Sequence, residues 1–124
     1  MLNVLEGFPD DVLAVSASGK LNADDYRNVM VPQVHRILEA HGSVRMFYRL
    51  GPEWDGFTAG AGLQDMILGV EHWTDFARIA IVTDSTWIRE AVCLFAPMFR
   101  KPMKVFANAE AEIAKDWIAV GDDT

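Results

Sequence analysis

The chain is predicted to form an α/β domain in which helices cover a mostly parallel sheet and an N-terminal hairpin adds an antiparallel portion. Runs typical of strands alternate with helical segments, residues 77–83 form a strongly apolar run, and turn-forming residues separate the first two runs. Alternating strands and helices require right-handed crossovers between parallel neighbours. The 124 residues have the size of one domain, which we assign to residues 1–120, with a polar tail at 121–124.

The N-terminal hairpin is predicted from residues 2–6 and 12–18, which are both rich in branched apolar side chains. Between them, residues 7–11 read Gly-Phe-Pro-Asp-Asp, which is typical of a turn. In the second run successive side chains point to opposite faces of a strand, and one of these faces becomes polar toward the end of the run.

A kinked helix is predicted after the hairpin and a short lead-in at residues 19–22. Asn22 is placed to accept hydrogen bonds from the free N–H groups of the first helical turn. Pro32 either interrupts this helix or begins its second segment, because proline has no N–H to lose at the first helical position. We expect a kink near Val31 in both cases and a helix end at Gly42, since glycine readily adopts the left-handed conformation found there.

Two further strands are predicted at residues 44–50 and 77–83, the second of them buried on both faces. A Gly-rich polar loop at 51–62 and a short amphipathic helix at 63–70 lie between them. We expect Asp84 or Ser85 to cap a helix that runs to residue 100, followed by a short strand at 102–107. Asn108 is predicted to cap a last helix that ends at Val120.

The helix at 85–100 carries more apolar residues than one core contact requires. One stripe at helical spacing is expected to face the sheet and consists of Ile88, Ala91, Val92, Phe95 and Phe99. Cys93 is expected to be a small buried hydrophobe in the same helix. A second stripe consists of Trp87, Leu94 and Met98, and it needs a partner. Another part of the chain, a second copy, a lipid-like ligand and a membrane all remain open for that role.

The stretches at residues 19–32, 75–87 and 95–106 are distinctive in combination, and together they resemble the SpoIIAA-like family, a bacterial group related in fold to STAS domains, which are anti-anti-sigma regulators. The first is Gly19-Lys-Leu-Asn-Ala-Asp-Asp-Tyr26, with Pro32 after it. The second runs from Asp75 through Thr83-Asp84 to Ser85-Thr-Trp87, and the third is Phe95-Ala-Pro-Met-Phe99 before the strand at 105–106. The resemblance covers nearly the whole chain.

This resemblance implies a β–α sandwich, a cytoplasmic setting and no known enzymatic activity. STAS regulators carry a phosphorylatable serine where the helix after the third strand begins. The corresponding stretch here, from Leu50 to Thr58, contains no serine, so the chain departs from the STAS pattern at this position. Lipid-carrying CRAL-TRIO domains use a similar arrangement of sheet and helices, and an apolar ligand follows from them by analogy alone.

Composition and motif spacing exclude several functions. A formal net charge of −7 disfavours nucleic acid, whose phosphates require a cluster of Lys and Arg. His35 and His41 are six positions apart, whereas pairs of metal ligands on a helix favour a spacing of four. We expect these two and His72 to be helix-surface or partly buried residues. Residues 1–7 do not have the pattern of a secretion signal and no apolar run is long enough to span a membrane, so we expect neither, and the single cysteine fits the cytosol. We predict no catalytic residue, no metal and no cofactor.

The leading functional hypothesis is a non-enzymatic cytoplasmic module that holds a small apolar or lipid-like ligand between the helices at 63–70 and 85–99. Its predicted ligand-binding residues are Trp54, Phe57, Met66, Trp73, Trp87, Leu94 and Met98. A basic group beside the end of the apolar helix suits the anionic inner face of a membrane, and this predicted contact set is Phe99, Arg100, Lys101 and Lys104. The alternative is a STAS-like protein–protein regulatory module or a homodimer without a ligand.

Overall fold

The computed structural model describes residues 1–58, 76–99 and 103–119. The helix predicted at 63–70 and the polar tail predicted at 121–124 lie outside the described residues. The strands are β1 (Leu2–Val4), β2 (Val12–Ala17), β3 (Gly19–Leu21), β4 (Val44–Leu50), β5 (Trp54–Phe57), β6 (Phe76–Thr83) and β7 (Met103–Phe106). The α-helices are α1 (Ala23–Asp25), α2 (Val31–His41), α3 (Thr86–Phe99) and α4 (Ala111–Ala119).

The main sheet has the strand order β1-β2-β4-β6-β7. Strand β1 pairs with β2 in antiparallel fashion, whereas β2 with β4, β4 with β6 and β6 with β7 are parallel pairs. This arrangement confirms the predicted α/β class, with its mostly parallel sheet and N-terminal antiparallel portion.

Each face of the main sheet has its own hydrophobic cluster. The first cluster lies under α2 and α3 and includes Leu13, Val15, Met46, Ile37 and Ile88. The second lies under α4 and includes Val12, Phe47, Val82, Ala114 and Ile118. Because alternate residues of β2 enter different clusters, both faces of this strand are buried.

The helical segment after β3 follows the predicted signals closely. The side chain of Asn22 accepts a hydrogen bond from the N–H of Asp25 at 3.0 Å, and the Asp25 carboxylate accepts one from the N–H of Asn22 at 2.9 Å. This reciprocal pair caps the first turn. A π-helical stretch, Tyr26–Met30, directly precedes α2, and Pro32 is the second residue of α2. Gly42 ends α2 with a φ of 80°.

The strands β3 and β5 form a second, two-stranded parallel sheet that the sequence analysis did not anticipate. The N–H of Gly19 donates to the carbonyl of Glu53 at 2.6 Å, and the N–H of Thr58 donates to the carbonyl of Leu21 at 2.8 Å. Residues 54–57 therefore form a strand inside the segment that was predicted to be a loop. The prediction was wrong because the pairing joins chain segments more than thirty residues apart.

The predicted cap of the last helix was also wrong. A 3₁₀ turn, Asn108–Glu110, leads into α4, and the Glu110 carboxylate accepts a hydrogen bond from the N–H of Ala107 at 2.9 Å. The side-chain amide of Asn108 instead donates to the Asp84 carboxylate at 3.3 Å, and its backbone N–H donates to the same carboxylate at 2.9 Å. Asn108 thus ties the end of β7 to the end of β6.

A buried arginine in β4 connects three parts of the fold. Arg45 donates to both carboxylate oxygens of Asp11, at 3.1 and 2.8 Å, and to the carbonyl of Ile118 at 2.9 Å. That carbonyl lies in the last turn of α4, where backbone acceptors have no partner within the helix. Arg45 therefore joins the turn before β2, the middle of the sheet and the end of α4.

The Asp11 carboxyl has a lowered pKa, mainly because it accepts hydrogen bonds from Arg45 and also because of the positive charge of Arg45, while burial opposes the shift. A folded-state pKa below the unfolded value of about 3.9 stabilises the protein above that pH, and this stabilisation is lost as pH falls through the folded-state pKa. We expect the difference in unfolding free energy between the wild type and Asp11→Asn to be constant above about pH 5 and to shrink below about pH 4. Urea unfolding at a series of pH values measures it, and a difference that stays constant down to pH 3 would contradict the expectation.

Candidate functional site

The helix α3 is held against the sheet by one of its two predicted apolar stripes. Ile88 is buried in the first cluster, Val92 packs against that cluster, and Ala91 is half-buried. At the start of the helix, the Thr83 hydroxyl accepts a hydrogen bond from the N–H of Ser85 at 3.1 Å, and the N–H of Arg89 donates to the carbonyl of Ser85 at 3.2 Å. The side chains of Phe95 and Phe99 lie outside the described part of the structure.

The second stripe faces outward along α3. Trp87 is 57% exposed and Leu94 is 71% exposed, although both are large apolar residues. They are two helical turns apart and therefore lie on the same side of the helix, separated along its axis by about 10 Å. Single exposed apolar residues are common on protein surfaces, whereas a contiguous group of them marks a contact surface.

Strand β5 brings a third predicted residue to this place. The rings of Trp54 and Trp87 lie with their centroids 6.3 Å apart at an angle of 35°. Trp54 is half-buried and also packs against the first hydrophobic cluster. The pairing of β5 with β3 holds Trp54 in position, and Trp54 in turn supports the exposed ring of Trp87. We call Trp54, Trp87 and Leu94 the α3 outer surface.

This surface begins beside the carboxyl ends of β4 and β6. Trp54 follows the end of β4 and Trp87 follows the end of β6, and these two strands are parallel neighbours in the sheet. In open α/β sheets, binding sites form outside the carboxyl ends of strands where the strand order reverses, and the order β1-β2-β4-β6-β7 has no reversal between β4 and β6.

The structure describes only part of the predicted ligand-binding set. Trp54 and Trp87 are in ring contact, and Leu94 lies two turns further along the same side of α3. The backbone of Phe57 ends β5 and that of Met98 belongs to α3, but their side chains are not among those described. Met66 and Trp73 lie outside the described residues, as does the helix at 63–70 that would form the other wall of the predicted pocket.

The prediction for Cys93 was wrong, because this residue is exposed. Its position five residues after Ile88 turns it by about 140° around the helix from that buried side chain. The sequence analysis judged Cys93 by the average behaviour of cysteine, and the geometry of α3 decides otherwise.

The structure places Lys104 away from the α3 outer surface. Its Nζ lies 5.4 Å from the ring centroid of Trp117, which packs against the second cluster under α4. Because α3 and α4 cover opposite faces of the sheet, Lys104 does not lie beside Trp87 and Leu94. In the rest of the predicted membrane-contact set, the Phe99 side chain, Arg100 and Lys101 are not described.

Trp117 forms the centre of a cluster that the sequence analysis missed. The guanidinium carbon of Arg78 lies 4.6 Å from its ring centroid, and Nη1 of Arg78 donates to the backbone carbonyl of Trp117 at 2.8 Å. The sequence did contain a signal for this cluster, because Arg78 lies inside a strongly apolar strand. Charged residues are rarely accommodated there without a specific partner. The arrangement fastens the last turn of α4 to β6.

The described residues give no indication of metal binding or membrane crossing. Across 1–58, 76–99 and 103–119, no three His, Cys, Asp or Glu side chains are grouped to hold a metal ion. No helix in these ranges combines the length and hydropathy needed to span a bilayer. His35 and His41 are exposed, as predicted, and His72 lies outside the described residues.

A small polar cleft lies at the other end of the sheet. It has a volume of about 140 Å³ and is lined by the turn between β1 and β2 together with Gln33 and Arg36 of α2. The Gln33 side chain accepts two hydrogen bonds from Arg36, at 3.2 and 2.8 Å. None of the predicted site residues lines this cleft.

The fold and its topology define an α/β domain of the SpoIIAA/STAS type, with a mixed sheet covered by helices on both faces. The model of the SpoIIAA-like family matches residues 12–119, so the chain belongs to the SpoIIAA-like family. The resemblance inferred from the sequence is thereby confirmed. No curated protein matches the chain significantly.

Two solved structures show the same fold. An uncharacterized protein with a SpoIIAA-like fold from Shewanella loihica PV-4 is 26% identical, with a TM-score of 0.73, and the match covers 95% of this chain and 92% of that one. The anti-sigma factor antagonist SpoIIAA in its unphosphorylated form is 12% identical, with a TM-score of 0.54 and coverage of 91% and 96%. At this low identity, the likeness to SpoIIAA concerns the fold alone.

Proposed function

We propose that this protein is a non-catalytic, cytoplasmic regulatory module that binds a protein partner through the α3 outer surface. The observation that carries this proposal is the exposure of Trp87 and Leu94 on one side of α3, with Trp54 stacked against Trp87. Tryptophan is enriched among the residues that dominate the energy of protein–protein interfaces, because a large ring buries much area with few rotatable bonds.

The family relationship supports the same class of function. SpoIIAA, whose fold this chain shares, is an anti-sigma factor antagonist and therefore acts on another protein. Fold alone does not determine function, so the exposed aromatic and aliphatic residues are the stronger part of the support.

The sequence left four other occupants of this surface open: another part of the chain, a small apolar ligand, a membrane and a second copy of the chain. Within the chain, Trp54 contacts Trp87, and Trp87 and Leu94 remain exposed. The proposed ligand pocket depends on the helix at 63–70, which is outside the described residues. The predicted membrane contact included Lys104, but this residue lies on the other face of the sheet, where it contacts Trp117. For a second copy, two exposed side chains offer little of the roughly 800 Å² per partner that a stable interface buries. A transient regulatory partner requires a smaller contact area than a stable dimer does.

Site-specific photo-crosslinking in the source cells tests the proposal. A photoreactive amino acid at Leu94 is expected to link to one specific protein, whereas the same amino acid at Ile113 is not. Ile113 is the matched control because it is a 60% exposed aliphatic residue on α4, on the opposite side of the sheet. The linked protein is then purified, and Leu94→Asp is expected to raise its Kd at least about ten-fold, since a buried unpaired charge at an interface costs several kcal/mol.

Each alternative occupant gives a different result. Crosslinks to lipid, or to a small molecule that stays with the purified protein, contradict a protein partner. A crosslinked dimer of this chain, with a mass that Leu94→Asp reduces to the monomer in light scattering, supports the homodimer instead. Equal crosslinking from positions 94 and 113 also contradicts the proposed surface.

A further inference from the structure

A charged residue lies within the apolar line of the α3 outer surface. Glu90 is exposed and stands three residues after Trp87 and four before Leu94. Side chains at these spacings are neighbours on a helix, with Cβ atoms about 5–6 Å apart. The helix therefore presents an indole ring, a carboxylate and an aliphatic side chain in one continuous line.

The order of these three side chains along α3 is complementary to a segment that carries a cation among apolar residues. A carboxylate forms a charge-assisted hydrogen bond with Lys or Arg, and the face of an indole ring attracts the same cation. The chain already contains such a cation–indole contact at Trp117. The guanidinium carbon of Arg78 lies 4.6 Å from its ring centroid and Nζ of Lys104 lies 5.4 Å from it. Among the salt bridges of the described residues, none involves Glu90.

We propose that the partner presents a Lys or Arg flanked by apolar residues, with the cation held between Trp87 and Glu90 and an apolar neighbour packed on Leu94. A basic amphipathic helix is the occupant that fits, because its residues three and four positions apart repeat the spacing of this line. This partner chemistry rests on the protein-binding function proposed above. The net charge of −7 acts in the same direction, since it attracts basic partners during encounter.

Two synthetic peptides test the chemistry without knowledge of the partner. They share one amphipathic helical pattern, and one is built from Leu and Lys whereas the other is built from Leu and Glu. Calorimetric titration is expected to show that the wild type binds the Leu/Lys peptide at least about ten-fold more tightly than the Leu/Glu peptide.

The position of the cation is tested with two matched substitutions, Glu90→Lys and Glu112→Lys. Both glutamates are exposed on helices, and Glu112 lies on α4, across the sheet from the proposed surface. Glu90→Lys is expected to raise the Kd of the Leu/Lys peptide at least about ten-fold, and Glu112→Lys less than about two-fold. Equal effects would mean that only the overall charge matters, and they would overturn the inference. Failure of the Leu/Lys peptide to bind the wild type would overturn it as well.

The crosslinked partner separates this inference from the proposed function. A partner that loses affinity with Leu94→Asp and keeps it with Glu90→Lys leaves the protein-binding function in place and refutes the basic chemistry. If position 94 crosslinks to no protein, the proposed function itself fails.

Discussion

Replacing Arg45 with alanine is expected to lower the free energy of unfolding by about 3 to 5 kcal/mol, the range observed when one partner of a buried ion pair is removed. Arg45 is 8% exposed and donates to Asp11 and to the carbonyl of Ile118. Without it, the carboxylate loses its hydrogen bonds in a partly desolvated place, and the last turn of α4 loses its donor. Because the Asp11 side chain is 30% exposed, water reaches it and the loss should fall near the lower end of this range.

Urea unfolding followed by circular dichroism measures this loss. Arg36→Ala is the matched control, since Arg36 is an exposed arginine whose described hydrogen bonds go only to Gln33, and it should cost less than about 0.5 kcal/mol. Arg45→Lys should give an intermediate loss, because an ammonium group keeps the charge but cannot donate in the planar, two-pronged geometry of a guanidinium. If Arg45→Ala lowers the free energy of unfolding by less than about 1 kcal/mol, the hydrogen bonds from Arg45 to Asp11 and Ile118 contribute little to stability.

Replacing Trp87 with alanine is expected to weaken partner binding by about 2 kcal/mol, or about thirty-fold in Kd, as for a tryptophan at the centre of an interface. The substitution removes the exposed ring and also the surface against which Trp54 stacks. Loss of that stacking should reduce the stability of the free protein by only about 1 kcal/mol. The expected signature is thus a large binding defect in a folded protein.

The measurement combines the affinity for the purified crosslinked partner with the thermal unfolding of each variant. Ile113→Ala serves as the control, because it removes an exposed apolar side chain from the opposite face of the sheet and should leave the affinity unchanged. Trp87→Phe retains a ring and should recover part of the affinity. If Trp87→Ala and Ile113→Ala change the Kd by similar amounts, the α3 outer surface is not the binding site.

Local signals in the sequence were sufficient for most of the fold. The cap at Asn22, the helix end at Gly42 and the strand at 44–50 all depend on residues close together in the chain, and each was predicted. The β3–β5 pair was not predicted, because Asp and Gly, which are depleted in strands, separate the two aromatic residues of Trp54–Phe57 and leave too short a pattern to indicate a strand. Only their pairing with residues 19–21 makes them a strand.

The candidate site shows the same division. Helical spacing correctly identified Trp87 and Leu94 as a stripe separate from the one that faces the sheet. Spacing within one helix says nothing about distant neighbours, so the stacking of Trp54 on Trp87 and the position of Lys104 beside Trp117 emerged only from the structure. The burial of Cys93 was predicted from residue type and was wrong, since its direction on α3 points away from the core.

The sequence by itself determined the α/β class and the surplus of apolar residues on α3, because periodicity and capping are encoded within short stretches of chain. The family followed from the resemblance carried by three such stretches. The tertiary structure decided which of those apolar residues remain exposed and what surrounds them. Burial and proximity depend on elements that the chain brings together over long sequence distances, as it does where β5 positions Trp54 against Trp87. The exposed line of Trp87, Glu90 and Leu94, and with it the proposed choice of partner, is therefore a property of the folded protein.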